Sequence, residues 1–157
     1  MIKIVCVGNI KEKFYRDAYN EYVKRLSKYT KFDTFEVIEG GLKDESESNI
    51  EKSKVLEGKR ILSHINSKDY VILNYIQGNQ LSSIELADKI QSLQTSGKST
   101  IVFVIGGSYG VSQEVIDRAD YKLSFSKFTM PHQLFRVVLI EQIYRSFKII
   151  NKEKYNK

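Results

Sequence analysis

Five short apolar runs, at residues 2–7, 32–38, 70–76, 101–105 and 121–125, alternate with longer stretches of helical character. This alternation limits the fold more than any other feature of the chain. Runs of four to seven β-branched and aromatic residues are the length of strands buried on both faces. The segments between them carry helix signals. Apolar residues at 15, 18, 19, 22, 26 and 29 form one helical stripe. Ser48-x-x-Glu51 and Ser82-x-x-Glu85 match the capping box that starts a helix. These predict helices reaching about residues 65 and 95, a short helix over 112–119 and a last helix over 131–150. Parallel strands need crossover connections, so the pattern predicts an α/β fold with a mostly parallel sheet and helices on both faces. No linker or repeat divides the 157 residues, and one domain over 1–157 is expected.

The last helix is apolar almost all round: Leu134, Phe135, Val137, Val138, Leu139, Ile140, Ile143, Tyr144, Phe147, Ile149 and Ile150 leave little polar face. An outer-layer helix in a chain of this size should have one wet side. The surplus predicts a subunit partner, a helix wedged centrally in a monomer being the alternative. Glu141 and Arg145 stand at i and i+4 on one side, with His132 and Arg136 roughly opposite. At an interface these two polar pairs are expected to face a shared cleft.

Charge is unevenly spread. Residues 1–31 carry a net +5, residues 122–157 a net +6 and the middle a net −5. If the two ends meet in space they make one positive surface suited to a polyanion such as nucleic acid, a solvated surface with a surplus of lysine being the alternative. No apolar run is long enough to span a membrane. The residues after Met1 lack a signal-peptide layout, and the single Cys6 in an apolar strand reads as a small buried hydrophobe. A cytoplasmic location is expected.

Several motifs prove empty. Gly97-Lys98-Ser99 resembles the end of a P-loop, but position 92 is Ser and the segment precedes a strand. Gly106-Gly107-x-x-Gly110 lacks the first glycine of a dinucleotide fingerprint and follows the fourth strand. His64, expected on a helix, and His132 have no ligand partners at metal spacing, so no metal is expected. What remains is a strand ending in glycines at 106 and 107. A second strand ends in the small-polar loop Ser124-Phe-Ser-Lys-Phe-Thr-Met130, followed at once by a helix start. Glycine at a strand end serves either a ligand's close approach or a tight turn. Backbone N–H groups at a helix start suit a polar ligand. Two such loops suggest one pocket.

The N-terminal Ile-Lys-Ile-Val-x-Val-Gly, the segment Phe-Val-Ile-Gly-Gly-Ser-x-Gly and the stretch from Leu123 through Pro131-His132-Gln133 to Tyr144-Arg145 closely resemble the RlmH family. These are SPOUT-class methyltransferases acting on a pseudouridine of bacterial large-subunit ribosomal RNA. The resemblance runs nearly end to end. It implies a C-terminal trefoil knot, which ordinary topology rules would exclude. It also implies a homodimer and S-adenosyl-L-methionine held mostly by backbone groups of three loops. By motif position these are Asn74 and its neighbours, Gly106, and Phe125, Ser126, Lys127, Phe128, Thr129 and Met130.

The chain departs from the family pattern twice. The first cofactor loop reads Leu73-Asn74-Tyr75-Ile76-Gln77-Gly78, placing an asparagine where an apolar residue is expected against the adenine. The tail ends Tyr155-Asn156-Lys157, without the histidine that relatives often carry there. The expected reaction is methylation of N3 of a pseudouridine in 23S ribosomal RNA, free or in an assembled ribosome. Arg145 would be anion stabiliser or phosphate clamp, Glu141 its orienting group or a proton acceptor, and Tyr155 a stacking or hydrogen-bonding contact to the base. The competing expectation is a non-catalytic basic RNA-binding or ribosome-assembly protein on the same scaffold.

Overall fold

The computed structural model describes residues 1–157. Ten elements alternate without exception: β1 (Ile2–Val7), α1 (Lys13–Leu26), β2 (Phe32–Val37), α2 (Glu47–Leu62), β3 (Tyr70–Gln80), α3 (Ser83–Thr95), β4 (Ile101–Ile105), α4 (Gln113–Arg118), β5 (Tyr121–Ser124) and α5 (His132–Ile150). The five strands form one sheet in the order β2-β1-β4-β3-β5, and every pairing is parallel. The expected α/β fold is therefore present, with a sheet that is wholly parallel.

The two-residue period of the strands sorts their side chains between two cores. Ile2, Ile4 and Cys6 of β1, with Ile101, Phe103 and Ile105 of β4, join Tyr19 and Leu26 of α1, Leu86 and Ile90 of α3 and Leu139, Ile140, Ile143 and Phe147 of α5. On the other face Val5, Val7, Val102 and Val104 meet Ile61 of α2 and Val115 of α4. Cys6 is buried, and burial pushes its thiol up to about 12. It packs as a hydrophobe there, with its Sγ 3.7 Å from the Phe35 carbonyl oxygen. No helix is long and apolar enough to cross a membrane.

Three sequence expectations need correction. The cap of α2 is Ser46, not Ser48: its hydroxyl accepts from Asn49 N at 3.4 Å, and Asp44 holds the same turn by accepting from Ser46 N and Asn49 Nδ2. That carboxylate shifts the helix start forward. His64 lies just past the end of α2, stacked on Phe35 at 4.7 Å between ring centroids.

Strand β3 does not stop at Ile76. Its pairing with β5 jumps from Asn74 to Asn79 opposite Leu123, so residues 75–78 form a bulge and the strand resumes. Gly78 permits this, because a Cβ there would lie 2.6 Å from the Lys122 carbonyl oxygen. Tail residues 151–157 fold back: Lys152 takes a left-handed conformation (φ 55°), Glu153 N donates to the Lys148 carbonyl, and Tyr155 returns against α5.

The Ser82–Glu85 capping box is present in full, with Ser82 N donating to Glu85 at 2.7 Å and Glu85 N to Ser82 Oγ at 3.2 Å. Ser82→Ala should lower the unfolding free energy by about 1 kcal/mol in urea titration. A change well under half of that would mean the α3 start is held by tertiary contacts alone.

Candidate active site

In an open parallel sheet, ligands sit beyond the carboxyl ends of the strands. Here β4, β3 and β5 are neighbours, so the loops that follow them rise side by side. They enclose a pocket of about 300 Å³. From β3 come Asn74, Tyr75 and Ile76, redirected by the bulge; from β4, Gly106, Gly107 and Ser108; from β5, Phe125, Ser126, Phe128, Thr129 and Met130. His132 and Phe135 of α5 close the far wall.

The two glycines at this strand end serve the chain's own packing and turn: Gly106 lets Val111 pack close, since a Cβ there would stand 2.4 Å from Val111 Cγ1. Gly110 makes the turn, at φ +90°. The 124–130 loop is braced internally: Ser124 Oγ donates to the Ser126 carbonyl at 3.1 Å, and Phe128 N donates to Ser126 Oγ at 3.0 Å. Phe125 meets Phe135 edge to face at 5.0 Å.

Seven of the eight residues assigned to the cofactor by motif position line this pocket. Lys127 does not: it lines a separate hollow with Gln77 and Gly78. A lysine on a tight, small-polar loop turns its long chain away to keep its charge in water. The substituted Asn74 fits without disrupting the pocket. Its Nδ2 donates to the Val104 carbonyl at 2.9 Å, and its buried Oδ1 has no partner.

Glu141, Arg145 and Tyr155 also come together, but elsewhere. Glu141 Oε1 accepts from Arg145 Nη2 at 2.6 Å and from the Tyr155 hydroxyl at 3.0 Å; Oε2 accepts from Gln142 Nε2 at 2.8 Å. Arg145 lies over the Tyr155 ring at 4.7 Å and donates to Asn156 Oδ1 at 3.1 Å. Hydrogen bonding to Glu141 raises the pKa of Arg145 still further, and burial together with hydrogen bonding raises that of the Tyr155 hydroxyl. Both groups stay protonated at neutral pH, so the trio presents donors. Arg145 is ten residues past Phe135, or about 15 Å along a helix axis. Within one copy the trio therefore stands well beyond the pocket rim.

The shared cleft expected for the two polar pairs of α5 does not form within one copy. Arg136 is 1% exposed and points to the ends of β1 and β2, where it donates to Glu36 Oε1 at 2.6 Å and to the Gly8 carbonyl at 2.9 Å. A second, polar cavity of about 500 Å³ opens there, sharing Gly107, Ser108 and His132 with the first. Burial, then the Arg136 charge, lowers the pKa of His132, which favours a neutral imidazole at pH 7. Sequence reading missed this cavity and the places of His132 and Phe135 in the pocket. They are brought together by the strand order, which no local pattern encodes. No group of three or more His, Cys, Asp or Glu side chains is arranged to hold a metal ion.

Comparison with known proteins matches this architecture. The family model described as "Predicted SPOUT methyltransferase" matches residues 1–156. The chain is 54% identical over 157 residues to ribosomal RNA large subunit methyltransferase H of Lactobacillus acidophilus, covering 99% of each chain. It is 51% identical over 159 residues to the protein of the same name from Clostridium botulinum, again covering 99% of each. A solved structure of a probable methylase family protein from Haemophilus influenzae superposes with a TM-score of 0.52 at 16% identity, covering 99% of this chain and 70% of that one, a likeness of fold. With residues 1–156 matched by the family model and relatives at 51–54% identity matched nearly end to end, the protein belongs to the SPOUT methyltransferase family.

Proposed function

We propose that this protein transfers a methyl group from S-adenosyl-L-methionine to N3 of a pseudouridine in 23S ribosomal RNA, as a cytoplasmic homodimer of one SPOUT domain spanning residues 1–157. The observation that carries this reading is the convergence of the loops after β3, β4 and β5 on one pocket in a chain of this family. The pocket residues fit the cofactor. Ile76, Phe125 and Phe135 offer apolar walls for a purine. When bound, the cofactor supplies an electrophilic methyl carbon. The trefoil path belongs to the same proposal, with β5 placed beside β3 and α5 packed back on α1 and α3 as its support.

The chain's own residues then have to position the base and handle one proton. The N3 of a uracil-type ring carries that proton and becomes nucleophilic as it departs. Arg145, permanently charged, stabilises the ring anion or clamps a neighbouring phosphate. Both Glu141 oxygens already accept hydrogen bonds, so Glu141 is better suited to orienting Arg145 than to taking the proton. Tyr155 presents its ring beside Arg145 for contact with the base. The separation of this trio from its own pocket supports a site completed by a second copy. A two-fold contact along α5, where Phe135, Val138 and Arg145 are only half-buried, brings the trio of one copy toward the pocket of the other.

The basic chain ends support the RNA partner. Helices α1 and α5 pack together, and Tyr29 donates to Glu153 at 3.0 Å, so the two positive segments form one surface. Calorimetry with S-adenosyl-L-methionine should give saturable heat, and affinity for ribosomal RNA should fall steeply with salt. No heat and no thermal stabilisation at millimolar cofactor would favour the RNA-binding assembly protein instead. A flat salt response would remove the phosphate-tracking surface.

A further inference from the structure

The polar cavity beside the pocket has a chemical character that the methyl-donor site does not use. Its floor holds Glu57, which is 8% exposed. Glu57 Oε1 accepts from Gly40 N at 2.8 Å and from Ser53 Oγ at 3.4 Å, which fixes the carboxylate plane. Oε2 takes no donor from the protein and lies against Gly107, where a Cβ would stand 2.7 Å away. Gly107 belongs to the wall between the two cavities. Because Oε1 is already engaged, Oε2 is the oxygen left open to the cavity, as an acceptor for an N–H or O–H donor. Arg136 and His132 line the same cavity.

We infer that this cavity seats the target base, flipped out of the RNA, and that Glu57 Oε2 selects pseudouridine over uridine by accepting its N1–H. The inference rests on the methyltransferase reading above and names the residue that gives it base specificity. Pseudouridine is attached to its ribose through carbon C5, which leaves N1 bearing a proton. Rotating a uracil ring about the axis through N3 leaves N3 in place and exchanges N1 with C5. In uridine the position facing Glu57 is therefore a C–H, while the reacting nitrogen is unmoved. Oε2 is left without a donor when uridine enters, and a site built around an N–H rejects an analogue lacking it far more strongly than one built on shape. An extruded base also brings N3 to the shared wall, next to the methyl-donor pocket.

The test uses ribosomal particles carrying pseudouridine, uridine or 1-methylpseudouridine at the target position. The wild-type protein should methylate the pseudouridine particle at least about 100-fold faster than either of the others. Glu57→Gln keeps an oxygen for Gly40 N but turns an N–H toward the base. It should lose roughly 100-fold on pseudouridine, show no further loss on 1-methylpseudouridine, and bind S-adenosyl-L-methionine as before. Equal wild-type rates on pseudouridine and 1-methylpseudouridine would overturn the role of Glu57 while leaving the methyltransferase reading intact, even if the Gln variant failed to fold. No transfer to any particle by a protein that binds cofactor would overturn both.

Discussion

Arg145→Ala should reduce methyl transfer by roughly 10²–10³-fold while leaving affinity for S-adenosyl-L-methionine within a factor of about two. The size follows from what the guanidinium does. It is held by Glu141, laid over Tyr155 and protonated at any working pH, so it is a fixed positive charge in place before the ring loses its proton. Removing it takes away stabilisation that matters most as negative charge develops on the base. Arg145 is not among the residues lining the pocket, and in a site shared between copies it is presented to the base, so cofactor affinity should hold. Single-turnover rates beside calorimetric cofactor affinities separate the two effects. Equal losses in both would show that Arg145 supports the pocket and not the RNA.

The same variant tests the site shared between copies. Gly106→Ala should close the pocket, because its Cβ would meet Val111 Cγ1 at 2.4 Å. Mixing Arg145→Ala with Gly106→Ala should restore about a quarter of wild-type activity, since half of the dimers then own one complete site out of two. No restoration after confirmed subunit exchange would mean that each copy uses its own arginine.

Arg136→Ala should be the most destabilising of the substitutions considered, by about 3 kcal/mol in urea. The guanidinium is sealed between the end of β1 and α5 and answers the Gly8 carbonyl as well as Glu36. Alanine leaves a cavity and an unanswered carbonyl. Glu36 is 44% exposed on its side chain and returns to water, which keeps the loss near the lower end for a buried pair. Titrations need matched protein concentrations, because dimerisation adds its own stability. A loss below about 1 kcal/mol would mean that water or a rearranged side chain takes over the role of Arg136.

The layered α/β fold was legible because its signals are local. The β-branched runs of β1 and β4 and the Ser82–Glu85 box each act within a few residues, and each appears where the sequence places it. Where a local rule failed, a nearby competitor won. Asp44 moved the cap of α2 to Ser46, and Gly78 let β3 continue through what reads as a turn. Seven of the eight residues reached through family resemblance line one pocket, while Lys127 lines a neighbouring hollow, because motif position does not say which way a side chain turns.

What the chain determined by itself was which residues form strands, which end in glycine or serine loops, and that both ends are basic. These depend on propensity, periodicity and composition, which act along the chain. The strand order β2-β1-β4-β3-β5 was decided only in three dimensions, and it sets the loops after β3, β4 and β5 side by side. So was the burial of Arg136, a residue that reads as a surface partner of His132, and the meeting of Glu57 with Gly107 across 50 positions. Such contacts are selected by the packing of helices on both faces of one sheet, an energy summed over the whole core and visible in no short stretch of sequence.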